Sequence, residues 1–379
     1  MGWKQKGYFN FGGQGPLSPQ TLSTIEQGYE KIHKQGPFSQ SVNGWLQEES
    51  ANTRQAIAQE LGTTPETITL TENVTVGCNI ALWGLSWQSQ QDHILLTDCE
   101  HPGIIATIQE IAYRFGIDYS TCPIMETLNE GDPTAVIQQH LRENTKLVVL
   151  SHLLWNTGQV LPLKAITEMC HQQGVKVLVD AAQSVGSLPL DLPQTGVDFY
   201  AFTGHKWLCG PAGVGGLYVS PQSFSDLRPT FIGWRGLSLD DRGKPVSYKE
   251  DGRKFEVATA AYPQYMGLRS AIEQHNQWGT PSERYQKICE LSKILWERLS
   301  CLKGIHCLRT SPPEAGLVSF QLENRSHKAF VTELEKEGFL LRTLADPDCI
   351  RACVHYFTTL EAIEALVEII QKLFFNQRA

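Results

Sequence analysis

No run of about 18 or more apolar residues occurs in the 379-residue chain, which argues against a membrane-spanning helix. Basic blocks are also missing. With 32 Lys and Arg against 40 Asp and Glu, the formal net charge is −8, which speaks against nucleic acid or an acidic membrane surface as a partner. The opening MGWKQKGYFNFGG lacks the apolar core of a secretory signal, and Lys6 stands where a myristoylation signal has Ser or Thr. We therefore expect a cytoplasmic protein. The ten cysteines form no C-x-x-C pair and have no zinc-ligand spacing, so buried, reduced thiols and no metal centre are expected. Neither a GxxxxGK[ST] phosphate loop nor a GxGxxG turn after a strand is present. Internal repeats and low-complexity runs are absent too.

What is there is an alternation. Apolar strand-like runs at 68–70, 93–97, 117–119, 147–151, 175–179, 199–202 and 214–219 are interleaved with helical patterns at 103–115, 133–142 and 163–173. Helical patterns also cover 19–35 and 44–61. Such alternation predicts a mostly parallel sheet flanked by helices on both faces. The region 224–256 reads as polar and turn-rich. Two long helices follow (262–278 and 281–299), then strand–helix units at 316–337 and 339–374, which read as a smaller α+β domain. At this length two packed units are expected. Their boundaries read as an N-terminal segment 1–18 packing with the small domain, a large domain 19–256 and a small domain 257–379.

Ligands of parallel sheets bind at the carboxyl ends of the strands. The notable polar residues fall there: Glu100 and His101, His152, Asp180 and Gln183, and Thr203 to Lys206. The stretch DFYAFTGHKWLCGPAGVGGLYV (198–219) is the densest. Lys206 sits between His205 and Trp207 at the exit of an apolar strand. A desolvated lysine loses its preference for the ammonium form and becomes a nucleophile for carbonyl compounds. Upstream, the strand ending at Leu70 feeds a helix through TENVTVGCN, and the free N–H groups of a helix start suit a phosphate. Alone, that stretch also reads as an ordinary capped helix, and an Asp after VLV as a helix cap.

The motifs VDAAQS (179–184) and FTGHKWLCGPAGVGGLY (202–218), with TENVTVGCN (71–79) and CEHPG (99–103), resemble the fold-type I pyridoxal phosphate enzymes of aminotransferase class V. That group includes cysteine desulfurases and cysteine/cystine C-S lyases, and the resemblance runs nearly end to end. It implies pyridoxal 5'-phosphate as cofactor and gives each residue a role. Lys206 matches the Schiff-base lysine that later shuttles the Cα proton. Asp180 matches the carboxylate that keeps the pyridine nitrogen protonated, making the ring an electron sink. Gln183 matches the donor to the ring hydroxyl oxygen, and His101 the imidazole stacked on the ring. Thr75, with the backbone around Val76 and Gly77, matches one side of the phosphate cradle; Thr203 and His205 match the other. Thr259 matches a residue reaching the phosphate of a neighbouring subunit, which implies a homodimer with shared active sites. Asn156 in HLLWNTG matches a contact to cofactor or substrate. Arg351 matches the arginine that forks onto the substrate carboxylate, with Arg342 assisting. Trp234 and Arg235 would wall the distal half of the substrate.

Between members of the group, one departure discriminates. Desulfurases carry a catalytic Cys on a long mobile loop after the residue matching Arg342, yet only eight residues separate Arg342 from Arg351 here. Cys349 lies at the apparent strand start and reads as a packed thiol rather than a sulfur carrier. The short ADPDCIRAC connection resembles the C-S lyases instead, which implies β-elimination on cystine or cysteine. The products would be pyruvate, ammonia and cysteine persulfide or sulfide, the last two open to a sulfur acceptor protein. Cysteine desulfuration, another class V aminotransferase or epimerase activity, and non-catalytic phosphate binding stand as alternatives.

Overall fold

The computed structural model describes residues 7–375. Seven strands form the central sheet, in the spatial order Ile68–Thr71, Gly215–Val219, Phe199–Thr203, Lys176–Asp180, Thr145–Ser151, His93–Thr97 and Asp118–Cys122. Every neighbouring pair runs parallel except those of Gly215–Val219, which is antiparallel to both of its neighbours. This is the mostly parallel, helix-flanked sheet that the alternation predicted.

The sheet is buried on both sides because the middles of its central strands are continuous apolar runs, residues 147–150 and 177–179 among them. Leu147 and Val149 enter one core with Leu178 and Phe199, while Val148 and Leu150 enter the other with Val177 and Val179. The first core is closed by helices Val74–Gly84 and Pro102–Phe115, the second by Gln40–Glu60, Leu163–Gln172 and Tyr262–Trp278. Each such aliphatic side chain stabilises the fold by about 1.5–3 kcal/mol when fully buried. Parallel strands end at one edge. Thr97, Ser151, Asp180 and Thr203 therefore converge there.

The C-terminal part carries a four-stranded antiparallel sheet in the order Ile305–Cys307, Leu317–Leu322, Asp348–Cys353, Arg342–Ala345. Helices Pro281–Ser300, His327–Lys336 and Leu360–Phe375 cover it around a separate apolar core. Phe9 is buried in that same core, and Gly7–Tyr8 pairs in parallel with Phe339–Leu340. The two parts are also tied by a buried fork: Arg284 Nη2 donates to both oxygens of Glu60, at 2.6 and 2.7 Å.

Three of the differences from expectation have a local reason. The second helix starts at Gln40 rather than near 44, because Ser39 caps it by accepting from the Val42 N–H at 3.3 Å. The strand part of the unit at 339–374 begins as two short strands with different partners, Phe339–Leu340 and Arg342–Ala345. Within the turn-rich region lies a hairpin, Leu237–Leu239 with Pro245–Tyr248, whose exposure on both faces leaves no apolar alternation to read.

Candidate active site

At the carboxyl edge of the sheet lies a cavity of about 1020 Å³, lined by residues from both parts of the chain. Of the predicted residues, His101, Asp180, Gln183, Thr203, His205, Lys206, Thr75, Val76, Arg342 and Arg351 all line it. Three parallel strands of the central sheet, two helix starts and two antiparallel strands of the small sheet deliver them.

Lys206 follows Phe199–Thr203 on a turn pinned by two backbone bonds, Gly204 N–H to Val214 carbonyl and Gly210 N–H to Gly204 carbonyl. Burial pushes its amine down to about 8; Asp180 opposes that shift, while Arg351 and Arg342 add to it. Asp180 is itself buried, and burial raises its carboxyl above the usual range against the pull of Lys206 and His101. One of its oxygens accepts from the Ala182 N–H at 2.9 Å.

His101 caps helix Pro102–Phe115, its Nδ1 accepting from the Gly103 N–H at 3.2 Å, so the neutral ring carries its proton on Nε2. Burial lowers its pKa, favouring that neutral form. Behind it, Glu100 accepts from Thr97 Oγ1, the Ser151 N–H and Ser151 Oγ at 2.6, 2.8 and 3.0 Å. Burial raises this carboxyl to about 8.

The start of helix Val74–Gly84 faces the cavity and suits an anion. Asn73 caps it by accepting from the Val76 N–H at 3.0 Å, and Thr75 and Val76 face the cavity. Opposite stand Thr203 and His205, joined Oγ1 to Nδ1 at 2.6 Å, with the His205 imidazole pushed toward its neutral form by burial and by Lys206. Arg351 is buried, with 1% of its surface exposed. It donates once, from Nη1 to the Trp155 carbonyl at 2.7 Å. Its Nε and Nη2 have no hydrogen-bond partner among the described residues. Two buried, unpaired donors of a guanidinium are costly unless an anion meets them.

Some predicted residues fall elsewhere. Gly77 does not line the cavity; a Cβ there would lie 2.8 Å from that of Ala201, so it is glycine to let the helix sit on the sheet. Asn156 also points away. Its Oδ1 accepts from the Thr157 N–H at 2.9 Å and its carbonyl from Ser319 Oγ at 2.6 Å, which fixes a turn. The cavity contact comes instead from its neighbour Trp155, whose ring meets His101 edge-on at 6.0 Å. Trp234 is 55% exposed and lies outside the cavity, where Thr230 and Phe231 stand. Arg235 is paired with Glu256 and is absent from this cavity, but lines the adjoining one. Thr259 lines an adjoining cavity of about 400 Å³ that shares Val76, Ile80, Thr230 and Phe231 with the first. Sequence reasoning missed Gly12 and Gly13, brought in from the N-terminal segment.

The donor set fits pyridoxal phosphate on the structure's own terms: an amine held near neutrality, a buried carboxyl beside it, a helix start with hydroxyls for phosphate, and orphaned guanidinium donors for a carboxylate. Comparison with known proteins points the same way. A probable cysteine desulfurase of Halalkalibacterium halodurans is 30% identical over 324 residues, 81% of this chain and 77% of that protein. Among solved structures, the cystine C-S lyase C-DES in complex with its reaction product cysteine persulfide is 52% identical, with a TM-score of 0.95 over 97% of both chains. A lysine-to-alanine variant of C-DES, with glycine covalently linked to its PLP cofactor, is equally similar: 52% identical, TM-score 0.95, over 97% of this chain and 96% of that one. The aminotransferase class-V profile matches residues 8–366, a span that takes in the lysine turn, the strand ends and both arginines. This chain is a member of the aminotransferase class-V family.

Proposed function

We propose that the chain is a pyridoxal phosphate-dependent C-S lyase that cleaves cystine, and more slowly cysteine, by β-elimination. The observation that carries this choice is the state of Cys349. It lies in strand Asp348–Cys353 opposite Leu344, is fully buried, and burial raises its thiol to about 12. Only Asp346 and Pro347 join that strand to Arg342–Ala345. A thiol so held cannot travel to a substrate sulfur or act as a thiolate. Elimination needs no enzymic thiol.

Lys206, Asp180, Gln183 and His101 would hold the cofactor ring, and Thr75, Val76, Thr203 and His205 its phosphate. Pyridoxal phosphate, when bound, supplies an electron sink for negative charge developing at the substrate Cα. Arg351, with Arg342, orients the substrate carboxylate. Lys206, an amine near neutrality, takes the Cα proton. The electron pair left at Cα expels the β-sulfur with its bonding pair. From cystine the leaving group is cysteine persulfide, more acidic than a simple thiol and so easier to expel; water then converts the released enamine to pyruvate and ammonia. Asp180, whose carboxyl burial raises against the pull of Lys206 and His101, would face the ring nitrogen of the bound cofactor, and a positive charge there would favour its anionic form.

We read the protein as a cytoplasmic homodimer. Phe231, Ile232 and Trp234 form an exposed apolar stretch at the rim of the cavity, and Thr259 lies in the adjoining one. A second copy covering this rim would place Trp234 and Thr259 near its partner's site. No helix of the described residues is long and apolar enough to cross a membrane.

The test is product analysis with cystine and cysteine side by side. Pyruvate released in step with sulfur supports the lyase. Stoichiometric alanine would mean a desulfurase and would overturn the reading.

A further inference from the structure

The N-terminal segment enters the site from outside the sheet and is pinned on both sides of Gly12. Phe9 is buried in the small core, and its carbonyl accepts from the Cys353 N–H at 2.7 Å. Phe11 stacks on His355 at 4.6 Å and lies 6.3 Å from Trp207, the residue after the lysine. Gly15 donates its N–H to the His205 carbonyl at 2.7 Å; a Cβ there would sit 2.2 Å from the Lys206 carbonyl oxygen. The segment therefore has a fixed height above the site.

Gly12 lines the cavity. Its carbonyl accepts from Gln183 Nε2 at 2.9 Å, while Gln183 Oε1 accepts from Trp207 Nε1 at 2.8 Å, so the amide is clamped from both ends. A Cβ on Gly12 would lie 2.8 Å from Gln183 Oε1, 2.9 Å from Cys353 Sγ and 3.1 Å from Arg351 Nη2. Gly12 does not have a positive φ, so backbone conformation does not demand glycine there. Space does. The third of those atoms is one of the two buried Arg351 donors without a partner.

We propose that Gly12 is a positioning residue for the substrate's α-carboxylate. Its carbonyl sets the Gln183 amide, and its bare Cα keeps open the volume in which Arg351 Nη2 meets the carboxylate. This rests on the proposed cofactor and substrate class. A methyl group at position 12 pushes Gln183 and the guanidinium apart, and the cost falls on ligands that carry a carboxylate.

The experiment compares the holoprotein with Gly12→Ala, titrating each with L-alanine and with ethylamine, which lacks the carboxylate. Binding is read from the absorbance of the bound cofactor. Gly12→Ala is expected to weaken L-alanine by about tenfold, the size of one lost charge-assisted hydrogen bond, and to leave ethylamine within about twofold. KM for cystine should rise with kcat little changed. Equal weakening of both amines, or no change in either, overturns the proposal. If Gly12→Ala does not fold, Gly12→Ala with Cys353→Ala carries the same test: loss of Sγ makes room for the methyl group on one side while Arg351 still meets it. A loss of about threefold, for L-alanine alone, is then expected. Absence of a cofactor band in the unsubstituted protein overturns the proposed function and this inference together. Alanine instead of pyruvate as product overturns the proposed reaction alone.

Discussion

Arg342 and Arg351 stand directly opposite each other on adjacent antiparallel strands. Like charges in register repel, at a cost of a fraction of a kcal/mol up to about 1. Arg351 is buried and Arg342 exposed, so the pair is asymmetric: one fixed fork and one adjustable cation, both facing the cavity. An anionic ligand between them turns the repulsion into binding.

Replacing Arg342 by Gln should therefore stabilise the ligand-free protein slightly, by up to about 1 kcal/mol, while raising KM for cystine. Arg351→Lys keeps the charge but not the fork, and should raise KM more steeply, by about ten- to a hundredfold. Thermal melts and steady-state kinetics on the two variants check this. A fall in stability for Arg342→Gln would show that the repulsion is already relieved.

The depressed lysine makes a pH prediction for the cofactor-free protein. Lys206 loses its proton near pH 8, whereas an unfolded lysine holds it to about 10.4. Across that window the unfolded chain binds more protons, so this group's contribution to stability rises with pH. The rate of pyridoxal phosphate uptake should climb through an apparent pKa of about 8. Stopped-flow absorbance against pH measures it, and a midpoint above 10 would refute a buried amine.

Glu100 runs the other way. Folded, it keeps its proton up to about pH 8, while an unfolded glutamate releases it near 4.3. Between those values the folded chain binds more protons, and the stability from this group is lost as pH rises. Glu100→Gln keeps the shape and the acceptor for the Ser151 N–H. Its melting temperature should depend less on pH between 5 and 9 than that of the parent. Parallel melting curves would count against a protonated Glu100.

Cys349→Ser should retain kcat for pyruvate release within about threefold, because elimination uses no enzymic thiol, and Ser319 stands by to pair with the new hydroxyl. In the native protein an alkylating reagent should reach the exposed Cys301 and reach Cys349 only after unfolding. Loss of activity in Cys349→Ser with the fold intact would favour a desulfurase.

Sedimentation at micromolar concentration should show a dimer. Ile232→Asp, at the exposed apolar rim, should shift it toward monomer and weaken retention of the cofactor. A monomeric parent with full activity would remove the need for a second copy.

The strand ends were legible in the sequence because a parallel sheet delivers its carboxyl termini to one edge. Lys206, Asp180, Gln183, His101 and Thr203 each follow an apolar run, and all line one cavity. Arg342 and Arg351 needed a resemblance, since an arginine in a strand carries no local mark of its role. The turn at 152–157 was read one residue off. No periodicity operates in a turn, so nothing local decided that Trp155 faces the cavity while Asn156 binds back to the chain. Gly12 was illegible for a different reason: its neighbours Gln183, Arg351 and Cys353 are distant in sequence, and only packing brings them together.

The two-residue turn between Arg342–Ala345 and Asp348–Cys353 also bears on what happens after the reaction. A carrier loop can escort sulfur to a docked recipient and hand it over under shelter. A tight hairpin offers no escort. On the proposed elimination, the persulfide would leave as a free solute, and its delivery would be governed by diffusion and chemical reactivity rather than by a loop of this chain. Economy of chain at this one corner would make the enzyme a source of mobile sulfur with no addressee of its own.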